Sequence, residues 1–191
     1  MKPLILASQS PRRRAILSQF KIPFISVSPT FDEDAVTPFP DPVKFAHHLS
    51  YEKGKSVQTH YPNDYILSGD TIVFFKDEYF AKPIDRDQAQ EFLKKLSGKT
   101  HEVITSMTLI TPSGYEQDYS KTYVTFNDLT NEHINQYLNM NIWADKAAGY
   151  SAEIPILIKS IDGDYFNVLG LPINAVNRLL TNQGMSLWRF L

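Results

Sequence analysis

The sequence of 191 residues contains no cysteine, so disulfide bonds, thiolate metal sites and cysteine nucleophiles are excluded. Long apolar runs are missing as well. The first apolar run, Leu4 to Ala7, is too short for the core of a signal peptide, and no stretch approaches the ~20 apolar residues of a membrane-spanning helix. These absences fit a reducing compartment, and we expect a soluble cytoplasmic protein without a membrane partner.

An excess of either charge is also absent, because 19 lysines and arginines face 21 aspartates and glutamates and the net charge is −2. Binding to duplex nucleic acid requires a basic surface field, so no stable nucleic-acid partner is expected. The sequence also lacks the His-Glu-x-x-His motif of zinc proteases, the G-x-x-x-x-G-K-S/T phosphate-binding loop and the G-x-S-x-G elbow of α/β-hydrolases.

Hydrophobic residues make up 42% of the chain, which is enough for a sizeable core. Segments 102–110 and 115–126 are typical of paired strands joined by a turn at residues 111–114, and residues 154–161 read as a further strand. Helical patterns alternate with these strands, including one after the proline-rich joint at residues 38–42. This arrangement predicts an α/β fold with a mixed sheet flanked by helices.

A strand pattern turns directly into a helix near the start of the sequence, where Leu4 to Ala7 is followed by Ser-Gln-Ser-Pro-Arg-Arg-Arg. Ser10 suits the N-cap position and Pro11 the first helical position. Residues 12–14 are arginines in the first turn, where the helix dipole already places partial positive charge. Free N–H groups, hydroxyls and guanidinium groups predict a polyphosphate site here; a solvated basic face is the alternative.

Asp70 is the strongest catalytic candidate outside that segment. It lies in an apolar, β-forming stretch, residues 65–75, which Ser68 and Gly69 interrupt. Charged residues are rare in such stretches without a partner, so this carboxylate could bind a divalent ion, orient water or take a proton from it. The alternative is a hairpin or bulge aspartate that bonds its own backbone.

Three further groups carry charge that suits a phosphate site. Lys82 precedes a proline, which holds it in an extended conformation from which it could reach a phosphate. Lys53 and Lys55 are two residues apart on one predicted helix, so at most one of them can face a cleft. The acidic residues 32–34 offer the oxygen ligands that Mg²⁺ or Mn²⁺ prefers, although such clusters are more often only solvated.

Eight short motifs span nearly the whole chain, namely Leu6–Arg14 (LASQSPRRR), Asp32–Glu33, Glu52–Lys53, Ser68–Thr71 (SGDT), Ala81–Pro83 (AKP), Leu96–Val103 (LSGKTHEV), Asp145–Tyr150 (DKAAGY) and Gly163–Pro172 (GDYFNVLGLP). In order and spacing they resemble the motifs of the Maf family (septum formation inhibitor Maf), whose members are nucleoside triphosphate pyrophosphatases. Any one motif is a weak signal, whereas eight in order are highly specific.

The resemblance implies an α/β fold with an elongated mixed sheet and two lobes around a cleft, like that of the inosine triphosphate pyrophosphatases. It implies one Maf-like domain over residues 1–191. The implied activity is hydrolysis of a nucleoside triphosphate to the monophosphate and pyrophosphate, assisted by a divalent cation, Mg²⁺ or Mn²⁺. A homodimer is also implied, since such families usually form one.

The resemblance also assigns roles to individual residues. Four residues near the N-terminus would grip phosphates, namely Ser8, Ser10, Arg12 and Arg13. Two acids and two lysines would carry the catalysis, namely Glu33, Asp70, Lys53 and Lys82. Asp70 would act as the general base, Glu33 and Asp70 would ligate the metal, and the two lysines would neutralise the phosphate chain.

Choice of the base is assigned by the resemblance to Arg12, Thr71 and Glu153. Relatives that act on dTTP and UTP share the threonine but carry glutamine, within a Tyr-x-x-Gln-Gly stretch, where this chain has Glu153. Glutamine matches the N3–H and O4 of thymine or uracil, whereas glutamate only accepts hydrogen bonds and suits a guanine edge. Thr71 therefore favours dTTP and UTP, our preferred prediction, and Glu153 favours 7-methyl-GTP, the alternative.

A different class of function stays open at this stage, namely a non-catalytic regulator of cell division that binds nucleotide or nucleic acid. Such a regulator would share the basic corner. It would have no need for an acid beside a polyphosphate, because the two repel each other unless a metal or water is used. The presence of Glu33 and Asp70 with two lysines favours the enzyme.

Overall fold

The computed structural model describes residues 2–191, in which we find seven strands and six α-helices. The strands are β1 (Leu4–Ala7), β2 (Phe24–Val27), β3 (Ile66–Phe75), β4 (Glu78–Phe80), β5 (Thr100–Thr111), β6 (Gly114–Phe126) and β7 (Ile158–Asp162). The helices are α1 (Pro11–Leu17), α2 (Pro42–Gln58), α3 (Arg86–Leu96), α4 (Asn131–Leu138), α5 (Tyr165–Val168) and α6 (Ile173–Asn182). None of the helices within residues 2–191 is long and apolar enough to span a membrane.

The seven strands form one sheet in the order β2-β1-β3-β5-β6-β7, with β4 paired to β3. Strand β1 runs parallel to both β2 and β3, whereas every other pair is antiparallel. The antiparallel β5–β6 hairpin is the one that the sequence predicts across residues 111–114. Helices flank this sheet, so the predicted mixed α/β fold is confirmed.

Two separate apolar cores lie on the sheet face that carries α1 and α3–α6. Leu67 of β3 belongs to the core under α1 and α6, and Val73 of the same strand belongs to the core under α3 and α4. Between them stand Gly69 and Thr71, because alternate strand residues share a face. These cores are the interiors of two lobes, and the strip between them is polar.

The opposite face, covered by α2, has the same division. Ile66 and Ile72 of β3 lie in two different apolar clusters, with Ser68 and Asp70 between them. Ser68 Oγ donates to the backbone oxygen of Ser50 on α2 at 2.6 Å. We call the strip on both faces the polar belt; it consists of residues 68–71 of β3 and Thr105, Ser106 and Thr108 of β5.

Two local predictions are wrong. Ser68 and Gly69 do not interrupt the strand, because β5 pairs with β3 continuously through this stretch, opposing Asp70 with Ser106. Asp70 is therefore neither in a hairpin nor in a bulge. The predicted strand at residues 154–161 is shorter, since Pro155 opens a 3₁₀ turn at 155–157 and β7 begins only at Ile158.

Helix α2 packs closely against β3 at Gly54, where a glycine is required by the approach of the two elements. A Cβ atom at this position would lie 2.5 Å from Ser68 Oγ and 2.8 Å from Ile110 Cδ1. Both neighbours are buried, and Ser68 is held by its hydrogen bond to Ser50. The glycine therefore sets the distance between the helix and the polar belt.

We expect Gly54→Ala to destabilise the fold although alanine is the better helix former. Helix propensity alone would add about 1 kcal/mol of stability, whereas overpacking a close contact typically costs about 1–3 kcal/mol, so the expected net effect is a loss. Urea unfolding measures it. The neighbouring exposed change Lys55→Ala is the control and should stay within about 0.5 kcal/mol of wild type. A more stable Gly54→Ala protein would contradict the close packing.

Candidate active site

The candidate site lies beyond the carboxyl end of β1. This strand ends at Ala7, which pairs with Ser68, while β3 continues past that point. The edge of β3 that pairs with β1 is therefore unpaired from Gly69 to Ile72, before β4 pairs with Val73–Phe75, and Arg13 from the first turn of α1 fills this gap. The crevice beyond the carboxyl ends of parallel strands is where ligands commonly bind in α/β sheets.

The start of α1 is built as the sequence predicts. Ser10 is the N-cap, its hydroxyl accepts from the Arg13 backbone N–H at 3.4 Å, and Pro11 is the first helical residue. Ser8 is buried, and its hydroxyl oxygen accepts from the Ser10 N–H at 3.1 Å. Both serine hydroxyls thus lie at the helix N-terminus, where the dipole favours an anion.

Arg13 is inserted beside the open edge of β3. Its Nη1 donates to Gly69 O at 2.7 Å, its Nη2 donates to Thr71 Oγ1 at 3.0 Å, and its Nε donates to Gly170 O at 2.7 Å. Burial lowers the pKa of Arg13, and the nearby Asp70 carboxylate opposes that shift. Three of the five N–H donors are used by the protein, which leaves two for a ligand.

Arg12 extends toward the other lobe. Its Nε is buried and has no hydrogen-bond acceptor within residues 2–191. Burial raises the pKa of Tyr137 on α4 to about 12, and the positive charge of Arg12 acts in the opposite direction. The same charge helps to lower the pKa of Asp145. Arg12 is therefore close enough to Tyr137 and Asp145 for its charge to act on them, whereas Arg14 is exposed.

All four residues expected to carry catalysis meet in one chain of charges. Lys53 Nζ lies 2.5 Å from Asp70 Oδ1 and also contacts Glu33 Oε2. Lys82 Nζ lies 2.6 Å from Glu33 Oε1. Exposure falls along this chain, from 57% for the Lys82 side chain to 14% for Lys53 and 9% for Asp70. Asp70 is the innermost of these groups, and Lys82 is the outermost.

The elements that carry these side chains explain their convergence. Lys53 faces the cleft from α2, whereas Lys55 lies 5.5 Å from the ring centroid of Tyr51; the prediction that at most one of the two lysines faces a cleft is confirmed. Glu33 comes from the acidic loop. Its neighbours form a local turn, in which Asp32 Oδ1 accepts from the Asp34 N–H at 3.2 Å.

The charges in this chain stabilise one another. Burial raises the pKa of Glu33, but attraction by Lys53 and Lys82 outweighs it and lowers the pKa to about 2. Burial lowers the pKa of Lys53, and the attraction of Asp70 and Glu33 outweighs it in the other direction. At neutral pH, Glu33 is therefore a carboxylate and Lys53 is an ammonium.

Of the three residues expected to read the base, Arg12 is described above, and Thr71 and Glu153 lie on different elements. Thr71 is on the face of β3 opposite Asp70, and its hydroxyl accepts from Arg13 and contacts Thr105 Oγ1 at 2.9 Å. Glu153 is exposed on the loop that follows the 3₁₀ turn at 147–149, and Ser151 Oγ donates to its Oε2 at 3.2 Å. Glu153 is thus accessible to solvent, whereas Thr71 is held by Arg13 and Thr105.

The loop that carries Glu153 is fixed from below by buried rings. His101 Nε2 lies 2.9 Å from Tyr150 Oη, and Tyr137 Oη accepts from the Ser151 N–H at 2.8 Å. Burial lowers the pKa of His101 to about 4, so this imidazole is neutral at physiological pH. It has a structural role beneath the loop.

Two residues that were not assigned to the site from the sequence, Gly170 and Thr105, contact Arg13 or Thr71, and a third, Asn167, contacts Thr105. Gly170 accepts from Arg13 through its carbonyl oxygen, Thr105 contacts Thr71, and Thr105 in turn donates to Asn167 O at 2.9 Å. The turn at 167–172 reads only as structural in the sequence. In the structure this turn contains a buried Asn167 and a Gly170 with φ of 93°, and neither property can be read from the sequence.

Comparisons with known proteins show which family the chain is similar to. The family model described as Maf-like protein matches residues 3–183. The chain is 42% identical over 195 aligned positions to the dTTP/UTP pyrophosphatase of Chlamydia felis, covering 100% of both chains. It is 40% identical to the dTTP/UTP pyrophosphatase of Latilactobacillus sakei subsp. sakei, covering 93% of this chain and 99% of that protein.

Among solved structures, the Staphylococcus aureus Ham1 protein has a similar fold, with a TM-score of 0.53 at 12% sequence identity. The match covers 96% of this chain and 98% of that chain. At this level of identity the likeness concerns the fold alone.

We expect Lys53→Met to raise the pKa of Glu33 from about 2 toward its ordinary value of 4.5, because Lys53 provides the largest attraction that opposes burial. Carboxyl ¹³C NMR titration measures the shift. In wild type, the stability contributed by Glu33 is complete above the unfolded-state pKa near 4.5 and is lost as pH falls toward about 2. Lys82→Met is the matched control with a smaller rise. A Glu33 pKa that stays near 2 without Lys53 would contradict the assignment.

Proposed function

Because this chain belongs to the Maf family, we propose that it hydrolyses a nucleoside triphosphate to the monophosphate and pyrophosphate, with dTTP and UTP as its preferred substrates. The observation that carries the proposal is the contact of Lys53 with both Glu33 and Asp70, next to the arginines of α1. The dTTP/UTP pyrophosphatases to which the chain is similar support the choice of substrate.

The arrangement separates two tasks. Arg12, Arg13 and Lys82 surround the cleft with positive charge and would bind the phosphate chain, stabilising the charge on the leaving pyrophosphate. Asp70 stands at the inner end with its carboxylate held by Lys53, where it would accept the proton of a water that attacks the α-phosphorus. This division suits phosphoryl transfer, which depends on positioning and on electrostatic stabilisation. A protein that only bound a nucleotide would have no use for the buried acid Asp70.

Glu33 and Asp70 are the residues that would hold a divalent cation. One oxygen of each contacts Lys53 Nζ, so an ion at that point would displace the ammonium group. Residues 2–191 contain no cluster of three or more acidic, histidine or cysteine side chains for a metal. Mg²⁺ is commonly bound by one or two carboxylates together with substrate phosphates, so Glu33 and Asp70 would hold it only with the nucleotide. The ion would neutralise phosphate charge and polarise the phosphoryl oxygens.

Recognition of the base would fall to Arg12 and Glu153 on the two sides of the cleft. The Thr71 hydroxyl already accepts from Arg13 and contacts Thr105, so Thr71 would act mainly by holding Arg13. Glu153 accepts only, and it can pair with the N3–H of uracil or thymine. It can equally accept from the two adjacent donors of a guanine edge, and 7-methyl-GTP therefore remains the alternative substrate.

Three further predictions concern the domain organisation, the location and the oligomeric state of the protein. One continuous sheet carries the strands of both lobes, which supports a single Maf-like domain over residues 1–191. The absence of cysteine fits a reducing compartment, so we keep the cytoplasm as the predicted location. A homodimer also remains a prediction of the family resemblance.

We expect Asp70→Asn to lower kcat by about 10²–10⁴-fold, as loss of a general base does. Wild-type protein is offered a panel of nucleoside triphosphates with Mg²⁺ or Mn²⁺, and the products are identified by chromatography. Pyrophosphate should be released, whereas a phosphomonoesterase would release inorganic phosphate. The exposed substitution Asp162→Asn on β7 is the matched control. Full turnover by Asp70→Asn would refute the role of Asp70 even if pyrophosphate is formed.

We expect Glu153→Gln to raise kcat/KM for dTTP and UTP relative to 7-methyl-GTP by roughly tenfold, the worth of about one hydrogen bond to a charged or fixed partner. Glutamine supplies the donor for O4 that glutamate lacks. Steady-state kinetics on the three nucleotides measure the ratio. Glu132→Gln, an exposed change on α4, is the control. An unchanged ranking of substrates would remove Glu153 from base recognition.

A further inference from the structure

A closed circuit of hydrogen bonds surrounds the guanidinium group of Arg13. Two of the arginine donors enter it, since Nη2 donates to Thr71 Oγ1 at 3.0 Å and Nε donates to Gly170 O at 2.7 Å. Thr71 and Thr105 are directly opposite each other on β3 and β5, and their hydroxyl oxygens are 2.9 Å apart. Thr105 is in turn hydrogen-bonded to Asn167, which lies on the turn that also contains Gly170.

The direction of every hydrogen bond in this circuit is fixed. Thr105 Oγ1 lies 2.9 Å from Asn167 O, and a carbonyl oxygen can only accept, so the single hydroxyl hydrogen of Thr105 is used there. Thr105 must therefore accept from Thr71. Thr71 has then used its own hydrogen, and its oxygen accepts from Arg13. The order of donation is Arg13 to Thr71, Thr71 to Thr105, and Thr105 to Asn167.

The circuit closes through the backbone of the turn. The Gly170 N–H donates to the same Asn167 carbonyl oxygen at 2.9 Å, and the Gly170 carbonyl accepts from Arg13. A Cβ at Gly170 would lie 3.2 Å from Thr71 Oγ1, so the groups of the circuit are closely packed. Chains of hydrogen bonds that share one direction polarise and strengthen one another.

The far end of the circuit is anchored to two strands. Asn167 is fully buried, and its Nδ2 donates to Val103 O of β5 at 2.9 Å and to Thr122 Oγ1 of β6 at 2.8 Å. The turn therefore cannot shift without breaking contacts to the sheet. Thr105 is also fully buried, so it acts on the cleft only through Thr71 and Arg13.

We propose that Thr105 is a positioning residue for nucleotide hydrolysis, whose hydroxyl holds the Arg13 guanidinium in the plane from which its two remaining N–H groups reach the phosphate chain. The inference rests on the proposed function for the reaction itself. Only a side chain that donates and accepts at one atom can connect Thr71 to Asn167. Serine can replace threonine in this role, whereas valine, which has the same shape, cannot.

The test compares Thr105→Val with Thr105→Ser. We expect the valine variant to lose about tenfold in kcat on the best nucleotide, the size expected for one buried hydrogen bond, with KM changed less than about twofold because the other phosphate contacts remain. The serine variant should restore most of kcat. Thr100→Val is the matched control, since it removes a similar cross-strand hydroxyl pair, that of Thr100 on β5 with Thr125 on β6, away from Arg13.

A second measurement does not depend on turnover. The Arg13 Nε–H, which donates to Gly170 O, should give a slowly exchanging ¹⁵N NMR signal in wild type and in Thr105→Ser, and a faster exchanging one in Thr105→Val. In an Arg13→Lys background, adding Thr105→Val should cause no further loss of kcat. A Thr105→Val protein with wild-type kcat and wild-type Nε–H exchange would overturn the inference, as would loss in the serine variant equal to that in valine. A wild-type protein that releases no pyrophosphate would instead refute the proposed function, and the exchange measurement would still test the circuit.

Discussion

The ammonium group of Lys53 holds the site together, because it lies between two carboxylates that would otherwise repel each other. Removing one member of a buried pair typically costs about 3–5 kcal/mol. The contact also joins three separate parts of the chain, namely the loop with Glu33, helix α2 and strand β3 with Asp70. The inner end of the cleft therefore exists only when all three are in place.

The polar belt explains why the site lies at the middle of the sheet. On both faces, apolar clusters occupy the two ends of β3 and β5, and the polar side chains between them are hydrogen-bonded to α2, to Arg13 of α1 or to the turn at 167–172. Buried polar groups are tolerated when such partners exist. Arg13 lies at the edge of the belt that β1 leaves unpaired. The polar belt therefore both interrupts the apolar core and provides the place for a ligand.

Local rules were enough to predict part of this architecture from the sequence. The cap at Ser10, the rule that at most one of Lys53 and Lys55 faces a cleft, and the β5–β6 hairpin all depend on residues close together in the chain. The position of Asp70 in an unbroken strand could not be predicted in that way, because the strand is continuous only through its pairing with β5. The contacts of Gly170 with Arg13 span 157 positions, and no local pattern indicates such a pair. The roles of the site residues themselves came from the family resemblance.

The strands β3 and β5, of 10 and 12 residues, run from one apolar core to the other without a break. A ladder of hydrogen bonds resists hinge bending, so the lobes can approach each other mainly by a change in sheet twist. Any such movement displaces Asp70 and Thr71 together, since they are adjacent on β3. The walls of the cleft are consequently stiff. A stiff binding site loses little conformational entropy of its own when it binds a flexible ligand with many rotatable bonds.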